Sequence, residues 1–169
     1  YFTNTDTKGL SILPINRLLK LEYTLDWRDF KNKLNDFFHI QEIQDKKHFF
    51  FLMEKSGRTE RVLGVYKDSK YLLLRLRNVK MLNVMMPDTS DAHRALDVAV
   101  LNEIVFKRIL NIDFKDKKNI SFSPDMDELI RRVDSDPHYL AFFLNPVKVQ
   151  DIISVALNNE RMPPKTTYF

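Results

Sequence analysis

The chain has 169 residues, enough for one domain with a substantial core, and its 44% hydrophobic against 30% charged content excludes a disordered chain. It contains no Cys, which excludes disulfides, thiolate metal sites and a Cys nucleophile. Its 27 Lys and Arg outnumber 23 Asp and Glu to give +4, but the two signs are interleaved, which argues against a nucleic-acid-tracking stripe.

No run approaches the roughly 18 apolar residues of a membrane span, and Tyr1-Phe2-Thr3 opens neither a basic nor an apolar leader. A cytoplasmic protein is expected. The start without Met and the tail Arg161 to Phe169 suggest the carboxy-terminal piece of a larger protein, with residues 1–9 a linker remnant and 10–169 one domain.

Leu10 to Leu19 reads as a strand in which Pro14 demands an edge or a bulge, because proline cannot donate to a ladder. Asp26 can cap a helix carrying Trp27, Phe30, Leu34, Phe37 and Phe38 at spacings of three and four. Three short runs follow, His48 to Glu54, Thr59 to Lys67 and Tyr71 to Arg77, separated by the turn residues around Gly57 and Asp68-Ser69. They predict an antiparallel meander, in which Leu72, Leu74 and Leu76 alternate with Leu73, Arg75 and Arg77.

Arg94 to Leu110 is apolar around most of a helix, so a central buried helix is expected. Ser123-Pro124-Asp125 offers a cap and a proline at the first position of the next helix. His138 to Leu144 reads as a buried strand, and Asn145-Pro146 repeats the cap signal before Val149 to Leu157. Pro163-Pro164 predicts an extended exit. The sum is an α+β domain with a mostly antiparallel sheet, built around a three-strand meander with about four helices.

Two sites carry chemistry worth testing. Lys165 and Thr166 offer a cation and a hydroxyl on a proline-stiffened segment, and Asn16-Arg17 offers an amide beside a guanidinium fork, both suited to phosphate or carboxylate. Asp91-Ala92-His93-Arg94 has acid–base composition, but Asp91 stands where a helix cap is expected. The four histidines lack metal-ligand spacing, and the three glycines are too scattered for a phosphate loop. No catalytic apparatus, metal site or cofactor motif is legible.

Leu13-Pro14-Ile15-Asn16-Arg17-Leu18, Leu96-Asp97-Val98-Ala99-Val100-Leu101-Asn102-Glu103-Ile104, Ala141-Phe142-Phe143-Leu144-Asn145-Pro146 and Met162-Pro163-Pro164-Lys165-Thr166-Thr167-Tyr168-Phe169 together resemble the carboxy-terminal half of the domain of unknown function 1015 family. The resemblance implies an absent amino-terminal half with an Asp-Gly-His-His-Arg-like stretch similar to ParB and sulfiredoxin-type domains, some of which bind nucleotide and phosphorylate free serine. It therefore implies, by fold analogy, a nucleotide or small phosphorylated metabolite as ligand, shared with that half. The family carries His where this chain has Asn16 and often where it has Asn102, and Asn cannot shuttle protons near neutral pH. The alternative is a non-catalytic interaction or dimerisation module, a homo-oligomer among the outcomes.

Overall fold

The computed structural model describes residues 12–113 and 118–168. Six strands form one antiparallel sheet: β2 (Asn16–Lys20), β3 (Phe38–Ile43), β4 (Val62–Lys67), β5 (Lys70–Leu76), β6 (Ile120–Ser123) and β7 (Tyr139–Phe143), in the order β3-β5-β4-β7-β2-β6. A separate pair joins β1 (Leu13–Pro14) to β8 (Thr167–Tyr168). The helices are α1 (Trp27–Asn35), α2 (Lys46–Ser56), α3 (Met81–Met85), α4 (Asp91–Arg94), α5 (Asp97–Val100), α6 (Met126–Ser135) and α7 (Val149–Leu157). α5 runs directly into a π-helical segment, Leu101–Ile109. The chain is thus α+β with an antiparallel sheet, and no helix among the described residues is long and apolar enough to cross a membrane.

Strand alternation puts a core on each side of the sheet. On one face Leu63, Val65, Leu72, Leu74 and Phe142 pack under Phe30 and Leu34 of α1 and under Leu101, Ile104 and Val105 of the π segment. On the other, Val62, Tyr66, Leu73 and Phe143 meet Phe49 and Met53 of α2 and Leu129 and Val133 of α6. Gly64 makes that second contact close enough: a Cβ there would lie 2.6 Å from the Phe49 ring and 2.7 Å from the Met53 sulfur. The β4–β5 hairpin turns through Asp68 and Ser69 at φ 50° and 58°, the left-handed pair of a type I′ turn that matches strand twist.

Several expected elements differ. His48 to Glu54 is not a strand but the body of α2: Asp45 accepts from the His48 N–H at 2.6 Å, and Phe49 and Met53, four apart, face the sheet. The third strand beside the hairpin is instead β3, so Phe38 leaves the helix that Asp26 caps through the Arg28 and Asp29 N–H groups. α1 ends at Asn35, and an edge strand takes up Phe38 as core. The long helix expected over Arg94 to Leu110 is interrupted at Ala95–Leu96 and continues mostly as π-helix, though Val98, Leu101, Ile104 and Val105 are buried as its apolar circumference requires.

Caps moved as well. Asp125, not Ser123, caps α6, accepting from Asp127 and Glu128, because Ser123 belongs to β6 and hydrogen-bonds Glu128. Ser90, one residue before Asp91, caps α4, leaving Asp91 to pair with Arg94. The exit after Pro163 is a turn rather than an extended run, since Lys165 sits at φ 57° before β8 forms. The expected linker at residues 1–9, with Leu10 and Ser11 of the first strand, lies outside the described residues.

Candidate functional site

β2 begins and β7 ends at the same end of the sheet, because the two strands are antiparallel and Arg17 lies opposite Phe142. Pro14 breaks the expected first strand there into β1 and β2, and Ile15 is the corner. The corner places Arg17 against the tail and Asn16 against the residue that follows β7. Asn16 is fully buried; its Oδ1 accepts from the Leu144 N–H at 3.1 Å, while its Nδ2 is buried without a partner. Arg17 is 2% exposed, with its guanidinium over the Phe122 ring. It donates to the Ile15 carbonyl and, at 3.0 Å, to the Lys165 carbonyl. Burial lowers its pKa to about 10, so the charge survives at neutral pH, and no carboxylate pairs with it among the described residues.

Thr166 is buried and donates its hydroxyl to the Pro163 carbonyl, closing the turn that Lys165 makes. Of the four residues read from sequence, Arg17 meets the tail at Lys165, next to Thr166, while Asn16 is held by Leu144. The contact with the tail is a clasp: Arg17 meets the backbone of Lys165, and the Lys165 side chain points from an exposed residue.

Beside this clasp, Ile15 and Thr166 open on a small cleft of about 30 Å³. Arg61, Asp97, Asn145, Lys148 and Asp151 supply most of its polar lining. Asp97 opens α5, where the carboxyl accepts the Val62 N–H while its Oδ1 is sealed from solvent with no partner. Burial, with a smaller push from Asp151, raises the Asp97 pKa to about 7 against the opposing pull of Arg61 and Lys148. Near neutral pH the cleft thus carries two cations against one full carboxylate.

Asn145 does not cap α7, which starts at Val149 with no side-chain cap; its amide donates instead to the Met53 carbonyl at 3.1 Å. That bond depends on Gly57 at the end of α2, where a Cβ would lie 2.1 Å from the Asn145 Nδ2. Asp97, Arg61 and Lys148 were not singled out from sequence as site residues. Asp97 lay inside a stretch that carried the family resemblance; Arg61 and Lys148 have no local signal, since a strand-leading Arg and a loop Lys are ordinary surface residues.

A two-sided antiparallel sheet with a polar cleft at the end of its central strands defines an α+β domain. Residues 1–99 match the family described as Protein of unknown function (DUF1015), and the chain belongs to that family. The match ends at Ala99, so the Ala141–Pro146 and Met162–Phe169 stretches lie beyond it. No curated protein and no solved structure matches the chain.

Proposed function

We propose that the domain binds a small anionic group, a phosphate or carboxylate, in the cleft beside the tail clasp. The observation that carries this is Asp97, a buried carboxyl with an unpartnered Oδ1 in a lining whose other charges are mainly cationic. Protonated, Asp97 donates a hydrogen bond to an anion; Arg61 and Lys148 supply the charge, and Asn145 an amide. Arg17 holds the tail through the Lys165 carbonyl, Asn16 holds the Leu144 N–H, and Thr166 forms one wall. The cleft admits only the anionic group, so the body of a phosphorylated metabolite or nucleotide would lie outside it, where an amino-terminal half could contribute.

Sulfate tests the reading because it keeps its charge through neutrality. Titration followed by amide NMR should give saturable binding that weakens about tenfold in Arg61→Gln and weakens in the wild type as pH rises through 7. Binding unaffected by both changes, or no saturation, overturns it.

A docking role is the second reading, favoured by Ile153 and Leu157, four apart on α7 and 45% and 78% exposed. Sedimentation of the wild type should then show self-association that Leu157→Lys removes; a monomer at all concentrations sinks self-association.

A further inference from the structure

On the other side of the tail lies a larger cavity of about 360 Å³, within the size range of small-molecule sites. Its walls are the thioether of Met86, the methyl of Ala99, and Met162 with the prolines after it. Thioethers adapt to flat or irregular apolar bodies, and the prolines hold one wall stiff. The π-helical segment borders it through Asn102 and Glu103. Such segments recur at functional sites because they displace side chains from their α-helical positions.

The polar groups are few and convergent. His93 lines the cavity with its Nδ1 buried and unpartnered. Glu103 is held by Lys107 at 3.0 Å, which offsets its charge. Arg161 stands at the mouth, exposed, with no carboxylate pairing it among the described residues. The preceding residue, Glu160, is engaged by Ser90, accepting from its N–H at 2.7 Å and from its hydroxyl, with its carboxylate in electrostatic reach of His93 and Arg94. The same contact anchors this wall to α4, and Arg17 anchors the tail again after it.

We infer that this cavity binds a small amphipathic organic acid, its apolar body between Met86, Ala99 and Met162, its carboxylate on Arg161 and a hydrogen bond to His93 or Asn102. The charge selects an acid over an amine, because the one lining carboxylate is already paired. The site is separate from the cleft of the anion proposal, with which it shares no lining residue.

The probe is 1-naphthoate, titrated into the full chain carrying 13C-methyl methionine, with 1-naphthalenemethanol as its neutral counterpart. Met86 and Met162 signals should shift saturably, while Met53 and Met126, which pack on the other face of the sheet or on α6, stay in place. Arg161 is exposed, so Arg161→Gln keeps the fold; it should weaken naphthoate about tenfold and leave the alcohol unchanged. Ala99→Met should fill the cavity and abolish both. Equal naphthoate affinity in Arg161→Gln overturns the assignment of an acid. Absence of a saturable shift at Met86 and Met162 up to about 10 mM, or uniform shifts at all methionines, overturns the site.

Discussion

Asp97 shows how one residue can report on the whole site. Its folded pKa near 7 lies above the ordinary carboxyl value of 3.8, so between those values the folded state holds a proton that the unfolded state has released. The contribution of Asp97 to stability is therefore greatest below about pH 4, falls as pH rises and levels off above 7, by on the order of 2–4 kcal/mol. Urea midpoints measured from pH 4 to 8 should show this slope in the wild type and lose most of it in Asp97→Asn. Arg17 works at the same scale but through geometry. Arg17→Met removes the charge-assisted bond to the Lys165 carbonyl and should cost about 1.5–3 kcal/mol, with faster hydrogen exchange in the β1–β8 pair than in the six-stranded sheet.

Among the elements, α2 is where local pattern and outcome part. His48 to Glu54 is an almost unbroken apolar run, and such a run does not distinguish a buried strand from a helix by period. Asp45 and the four-residue spacing of Phe49 and Met53 settle it, since both side chains then reach the sheet beside Gly64. Phe49→Ala should destabilise by about 3–5 kcal/mol through the cavity left against Tyr71 and Phe143. Gly64→Val should cost about 1–3 kcal/mol or more by forcing α2 off the sheet, seen as a lowered urea midpoint. The β4–β5 hairpin was legible because Asp68-Ser69 lies between alternating runs, whereas β3 was hidden behind an aromatic stripe that continued the spacing of α1 into Phe37 and Phe38.

At the scale of the molecule, burial on both faces makes the sheet the shared wall of two cores, so neither helical layer packs without it. A single unfolding transition follows from that sharing. Trp27, the lone tryptophan, packs against the α1 side of one core, and its fluorescence should track far-UV circular dichroism with one midpoint. Separate midpoints would mean that the layers unfold independently. The tail belongs to this scale too. It lines both cavities, through Thr166 in one and Arg161 to Pro164 in the other, so changes at its anchors should be felt at both.

The sequence by itself determined the α+β class, the capped start of α1, the β4–β5 hairpin, the buried strand β7 and the apolar stretch that became α5 and the π segment, because caps, turn residues and periodicity act within a few residues of themselves. It also pointed to Asn16, Arg17, Lys165 and Thr166. Only tertiary structure placed Arg17 on the Lys165 carbonyl across 148 positions of chain, and set Asp97 among Arg61, Asn145 and Lys148. The strand order, the second core under α2 and α6, and the raised pKa of Asp97 likewise belong to the folded chain. Desolvation and long-range pairing depend on what surrounds a residue in space, and no local window of sequence contains those neighbours.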